Sequence, residues 1–193
     1  MRGLEQIPWL YDLGLAISER GPFGRWRAWL GAGAAGRTLD LGTGTGRNLP
    51  HLPQDLRAVA LDPDPRNLVR ARRRGPATPL VRARAEALPF RDAAFDTVTC
   101  GLVLCSVDDP AAALQEVRRV LRPGGTLRLI EHVRARGAGG ALQDLLQPAW
   151  TWVTGGCRPN RHTEAAVEAA GFAAVPGTRR ARGVLRRWVA SRS

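Results

Sequence analysis

The stretch that most limits how this chain can fold is Arg37-Thr-Leu-Asp-Leu-Gly-Thr-Gly-Thr-Gly-Arg-Asn48. Thr38 to Leu41 reads as a short buried strand that breaks into a turn carrying Gly42, Gly44 and Gly46. Glycine at alternate positions lets the backbone take positive φ, and without a Cβ it leaves room for a ligand against the main chain. A strand that ends in such a turn and feeds a helix aims free N–H groups and the positive end of the helix dipole at whatever sits there. The spacing is not the dinucleotide fingerprint G-x-G-x-x-G. Counted from Gly42, its third glycine would fall on Arg47. What stands here is acidic-x-G-x-G-x-G, beginning at Asp40.

The rest of the chain alternates strand and helix signals around that turn. Pro50 and Pro53 keep the helix after the glycines short, and Arg57–Asp62 is the next strand. A helix starts near Pro65 and is stopped by Gly75-Pro76. Pro79–Ala83 and Ala94–Leu102 read as strands three and four, then Asp109 caps a helix with Pro110 at its first position. Pro123-Gly124-Gly125 ends that helix and turns into strand five, Thr126–Val133. A flexible loop is expected over 134–140, helices over 142–153 and 163–170, and a closing antiparallel pair at 172–175 and 184–189. This order predicts an α/β fold: a single doubly wound, Rossmann-like domain with a mostly parallel seven-stranded sheet, an antiparallel last strand and helices on both faces. Two short helices, around 9–17 and 23–30, suggest that residues 1–36 form a helical lid ahead of the 37–193 domain. Ligands in such sheets bind at the carboxyl ends of the strands, near the switch point beside strand one.

Composition narrows the partners. The net charge of +12 invites a nucleic-acid reading. Yet every basic side chain is arginine, the chain has no lysine, and the arginines are scattered. That pattern, with abundant Ala, Gly and Pro, fits GC-rich coding better than selection for phosphate contacts, and nucleic acid is not the expected partner. An acidic small molecule, or peripheral contact with an anionic membrane surface, would be served equally well. No stretch approaches the roughly 18 uninterrupted apolar residues of a membrane span. Residues 1–36 lack the basic-apolar-small order of a secretory signal, so a cytoplasmic location is the default expectation. Cys100, Cys105 and Cys157 are odd in number and form no C-x-x-C pair, which argues against a disulfide framework and a zinc ribbon. No His, Asp or Glu pair shows metal-ligand spacing, so no metal is expected.

The motif from Asp40 resembles motif I of the class I S-adenosylmethionine-dependent methyltransferases. Asp62, closing strand two, stands where an acidic residue accepts hydrogen bonds from the ribose hydroxyls. Ala85-Glu-Ala-Leu-Pro-Phe90 followed by Phe95-Asp96 resembles the segment that meets the adenine edge. Arg84 replaces the usual acidic residue there, and arginine has no acceptor, so Glu86 or backbone carbonyls would take its place. The resemblance becomes closer in Leu102-Val-Leu-Cys-Ser-Val107, Leu114–Gly125, Glu131-His-Val133 and Gly156-Cys157. These blocks are similar to the methyltransferase-like family that includes animal alkyl-thiol S-methyltransferases, and the likeness covers about residues 38–172. It implies S-adenosylmethionine as cofactor, S-adenosylhomocysteine as product, and a thiol or other small lipophilic nucleophile as acceptor. Related small bacterial methyltransferases act on quinone precursors or phospholipid head-group amines. The cofactor residues it implies are Asp40, Gly42, Thr43, Gly44, Gly46, Asn48, Asp62, Pro63, Ala85, Glu86, Gly101 and Leu102, with Tyr11 closing over the site.

Methyl transfer is an in-line displacement on an activated carbon, so the protein has mainly to align a nucleophile and exclude water. A base is needed only where the acceptor is protonated and weakly acidic. His132, ending strand five, is the base candidate, ahead of His162 and Cys105. The alternative is a non-catalytic S-adenosylmethionine-binding or nucleic-acid-associated protein.

Overall fold

The computed structural model describes residues 21–154 and 156–193. Residues 1–20, with Tyr11 and the helix expected around 9–17, lie outside the described residues. Helix α1 spans Pro22–Ala32, and the first strands are β1 Arg37–Leu41 and β2 Arg57–Asp62. Helix α2 follows at Pro65–Arg74, then β3 Leu80–Arg82, β4 Phe95–Gly101 and helix α3 Pro110–Val120. β5 is Leu121–His132, followed by α4 Gly137–Thr154 and α5 Thr163–Ala169. β6 Phe172–Ala174, β7 Arg180–Arg182 and β8 Leu185–Arg192 complete the order.

The sheet runs β3-β2-β1-β4-β5-β8-β6, with β7 also paired to β8. The pairs from β3 to β5 are parallel, while β8 is antiparallel to β5, β6 and β7. This is the expected doubly wound sheet with one strand more than the seven anticipated. The extra strand, β7, is short and exposed. A turn at Gly183, whose φ is +55°, folds it back on β8 beside β6.

Strand alternation divides the buried interior into two unlike halves. Leu39, Leu41, Leu61, Val98 and Cys100 point to one face, where Ala113, Leu114, Val117 and Val120 of α3 and Val167 of α5 close an apolar core. The opposite face carries Thr38, Asp40, Thr97 and Thr99, all buried. Buried polar groups need partners, and here the threonine hydroxyls and one oxygen of Asp40 have them. Thr99 Oγ1 donates to Asp40 at 2.7 Å, Asn48 Nδ2 donates to Asp40 at 2.8 Å, and Arg27 donates to Asn48 at 2.5 Å. Arg128 reaches from β5 to the Trp29 and Leu30 carbonyls at 2.6 and 3.0 Å, so α1 is tied to the sheet at its C-terminal end.

Three local expectations are corrected. The glycine turn feeds no α-helix: a single 3-10 turn at Leu49–His51 follows it. The Asn48 side chain is committed to Asp40, and Pro50 and Pro53 remove backbone donors, so no helix dipole forms there. The Pro123-Gly-Gly turn lies inside β5 as a large bulge. The step from Phe95 to Thr97 on β4 is met by the step from Leu121 to Thr126 on β5, with Gly124 at φ +72°. Residues 134–140 are not one loop, because α4 begins at Gly137. Arg134 pairs with Asp144 at 2.6 Å, and Gln143 accepts from the Ala135 N–H at 2.6 Å, which pins the helix start.

Candidate cofactor site

A cavity of about 710 Å³ opens at the carboxyl ends of β1, β2 and β4, where the strand order reverses around β1. Gly42 and Gly44 form one wall, Asp62 to Asn67 a second, Arg84 to Glu86 a third, and Leu102, Val103 and Ser106 to Asp108 the fourth. The glycines have different tasks. A Cβ on Gly44 would meet nothing nearer than 4.0 Å and would project into open space. A Cβ on Gly46 would stand 2.6 Å from the Ala71 Cα, so that glycine lets α2 close against the turn.

Asp62 ends β2 and is buried. One carboxylate oxygen accepts from the Gly44 N–H at 2.9 Å; the other accepts from the Asp64 N–H at 2.9 Å and Asn67 Nδ2 at 3.1 Å. Burial pushes its carboxyl up, against the pull of those donors. The pair of oxygens is thus held rigidly at the cavity wall by the turn on one side and the start of α2 on the other. A vicinal diol suits such an acceptor pair.

Arg84 acts as a clasp. Its guanidinium bridges Asp108 at 2.5 Å and Glu86 at 3.3 Å, while Glu86 accepts from the Asp108 N–H at 3.0 Å. The loop after β3 is thereby joined to the loop before α3, whose first turn is capped by Asp109 accepting from Ala111 and Ala112. One oxygen of Glu86, Oε1, is taken up by that junction.

Of the residues singled out from sequence, Gly42, Gly44, Asp62, Pro63, Ala85, Glu86 and Leu102 line the cavity. Asp40, Thr43, Gly46, Asn48 and Gly101 stand behind its walls. Asp40 is turned away by strand alternation, onto the polar face beneath α1, where burial pushes its carboxyl up. His132 lines a different cavity, of about 550 Å³, together with Phe23, Trp26 and the β7–β8 turn. His162 lines a third, beside Leu114 and Arg161.

Two features went unread in the sequence. Glu131 is fully buried and accepts from the Val103 and Leu104 N–H groups at 2.7 and 2.9 Å. It thereby holds the turn in which Leu102 takes φ +62° at the cavity wall. Burial pushes its carboxyl up to about 7. The second is a cluster. Cys105 and Cys157 Sγ lie 3.6 Å apart, and Cys157 Sγ lies 3.9 Å from His132 Nδ1. The neighbouring Cys105 sulfur and the adjacent imidazole pull the Cys157 thiol down, while the pairing and burial push Cys105 up.

A doubly wound sheet with an acidic end to β2, a glycine turn of the acidic-x-G-x-G-x-G spacing and an antiparallel strand, β8, beside β5 is the Rossmann-like class I methyltransferase fold. The chain belongs to the S-adenosylmethionine-dependent methyltransferase family: the family described as "Methyltransferase domain" matches residues 39–129. It is 32% identical to thiol S-methyltransferase TMT1A of Homo sapiens over 172 residues, 84% of this chain and 70% of that protein. It is 36% identical to thiol S-methyltransferase TMT1B of Homo sapiens over 154 residues, 74% of this chain but only 63% of that one. Among solved structures, an S-adenosylmethionine-dependent methyltransferase from Mesorhizobium loti superposes with a TM-score of 0.64 at 22% identity, over 88% of this chain and 96% of that one.

Proposed function

We propose that this protein methylates a small lipophilic thiol, using S-adenosylmethionine held in the 710 Å³ cavity. The observation that carries the cofactor half is the fixed Asp62 carboxylate facing a cavity into which Gly44 projects no side chain. Asp62 accepts from the ribose hydroxyls, Gly42 and Gly44 allow close approach of the backbone, and the Ala85–Glu86 wall takes the adenine. When bound, the cofactor supplies a methyl group already activated by its sulfonium. The thiol half is supported by the two human relatives named thiol S-methyltransferases. A thiol near its own pKa needs little help from a base, which agrees with a cavity wall that contains no histidine among the described residues. Helix α1, the described part of the segment expected as a lid, contributes none of the described residues of the cavity wall and packs instead on the sheet through Arg27 and Arg128.

Calorimetry with S-adenosylmethionine tests the site, with Asp62→Ala as control. Removing a charged acceptor costs about 1.5–3 kcal/mol, so the variant should bind at least tenfold more weakly. S-adenosylhomocysteine formation over a panel of thiols, phenols, quinols and amines tests the acceptor, with turnover expected on thiols. Absence of binding at about 1 mM cofactor, the upper end of ordinary KM values, would overturn the site assignment. Turnover on quinols or amines but not thiols would overturn the acceptor.

A further inference from the structure

Cys105, Cys157 and His132 are used by nothing described above, and three separate segments bring them together. We propose that they form a binding site for a thiophilic divalent ion of the zinc type, with two thiolates and one imidazole as protein ligands. Among the described residues this is the one group of three His, Cys, Asp or Glu side chains whose ligand atoms all lie within 4.8 Å of one another.

The separations are those of a coordination sphere. A tetrahedral zinc with Zn–S of about 2.3 Å and Zn–N of about 2.0–2.1 Å sets sulfur pairs about 3.8 Å apart and sulfur–nitrogen pairs about 3.5 Å apart. The structure has 3.6 Å between the sulfurs and 3.9 Å from Cys157 Sγ to His132 Nδ1. The remaining pair, Cys105 Sγ and the imidazole of the half-buried His132, lies within 4.8 Å.

The frame is built as well as the ligands. The Cys105 carbonyl accepts from the Arg158 N–H at 2.7 Å, joining the turn after β4 to the segment that carries Cys157. The Cys157 carbonyl accepts from Thr151 Oγ1 at 3.1 Å, and the His132 carbonyl from Thr163 Oγ1 at 2.9 Å. Arg161 donates to the Leu104 carbonyl. Each ligand is therefore anchored through its own backbone or its neighbour's, which lowers the entropy lost on binding an ion. Two thiols packed for apolar burial alone would not need an imidazole nitrogen beside them.

On binding, whatever protons the two sulfurs still hold leave to solvent, two metal–thiolate bonds form, and the Nδ1 lone pair supplies the third bond. A Cys2His set leaves a tetrahedral ion one open position. Ser106 and Gly156, the chain neighbours of the two cysteines, line the cofactor cavity, so the cluster and that cavity are built from two shared chain segments. His132 thereby acts as a ligand, and the base role expected from its place at the end of β5 is given up.

The test uses the full chain, purified under reductant, stripped by a chelator and titrated with Co²⁺ alone, without cofactor or acceptor. One Co²⁺ per chain is expected, with sulfur-to-cobalt charge-transfer absorption and the visible bands of tetrahedral cobalt, both abolished by Zn²⁺. Cys105→Ser, Cys157→Ser and His132→Asn should each weaken binding at least about 100-fold, the upper end of the loss from an outer-shell partner. Cys100→Ala, which removes the thiol outside the cluster, should keep the stoichiometry. Circular dichroism identifies any variant that fails to fold, and His132→Asn, the least buried, remains informative if a serine variant does. Absence of saturable Co²⁺ binding would overturn the proposal. So would binding that survives all three substitutions, or a Cys105–Cys157 disulfide that persists in the presence of reductant. The methyltransferase reading is untouched by any of these results, because no cofactor enters the measurement.

Discussion

Glu131→Gln should change how stability depends on pH. Glu131 is buried completely, and its carboxyl rises from an ordinary value of 4.5 to about 7. A carboxyl whose pKa is higher folded than unfolded favours the native state while protonated. That contribution is complete below about 4.5 and is lost as pH climbs through about 7. The gap from 4.5 to about 7, at about 1.4 kcal/mol per pH unit, amounts to about 3 kcal/mol as an order of magnitude. Glutamine keeps an oxygen for the Val103 and Leu104 N–H groups but does not titrate. Urea unfolding of both proteins, followed by tryptophan fluorescence from pH 4.5 to 8, gives the two stabilities. Subtracting them cancels Asp40, Asp62 and the other carboxylates that the substitution leaves alone. The variant should gain on the wild type by about 3 kcal/mol across that range, with a plateau above about pH 7. A difference that stays flat, or one that moves in favour of the wild type as pH rises, would refute the reasoning.

Gly44→Ala and Gly46→Ala should separate binding from packing. The first places a left-handed alanine, costing about 1–2 kcal/mol, and fills cavity space, so cofactor affinity measured by calorimetry should fall. The second drives a Cβ to 2.6 Å from the Ala71 Cα and should add an overpacking cost of about 1–3 kcal/mol. A denaturation midpoint lower for Gly44→Ala than for Gly46→Ala would contradict that division. Asp109→Ala removes the cap on α3 and should cost about 1 kcal/mol on the same midpoint; no shift would show the cap to be idle. Arg84→Ala should leave stability nearly unchanged while speeding amide exchange at Asp108 and Asp109, whose N–H groups are held by Glu86. Unaltered exchange there would mean that the clasp does not restrain the loop.

Where one strand or turn specifies the outcome by itself, the sequence could be read. The glycine turn, Asp62 ending β2 and the Asp109-Pro110 helix start are of that kind, and the sheet order follows from chaining such units. Asp40 shows the limit. Its place in the motif suggested ligand contact, but alternation sends it to the polar face, where Thr99 from β4 and Asn48 from the turn compete for it. Arg84 looked like a defect in an adenine segment because its partner, Asp108, lies 24 residues on. The cluster of Cys105, His132 and Cys157 was invisible for the same reason. Its members lie 25 and 52 residues apart and share no local period, so only the packed ends of β4, β5 and α4 bring them together. Glu131 was legible as part of a motif but not as a buried acceptor, since its donors are backbone groups whose direction depends on the turn at Leu102.

The sheet reserves an inner seat for a strand made after both of its neighbours. β8 lies between β5 on one side and β6 with β7 on the other, although both of those precede it in the chain. Until residues 185–192 have left the ribosome, β5 offers the backbone of Thr126–His132 with no partner on that side, and β6 and β7 have no neighbour to join. An open edge of this kind is a template for pairing with another chain. The nascent protein is therefore most exposed to aggregation just before its closing strand emerges. The order of synthesis sets that hazard, and slow translation through the β6–β7 region would lengthen it.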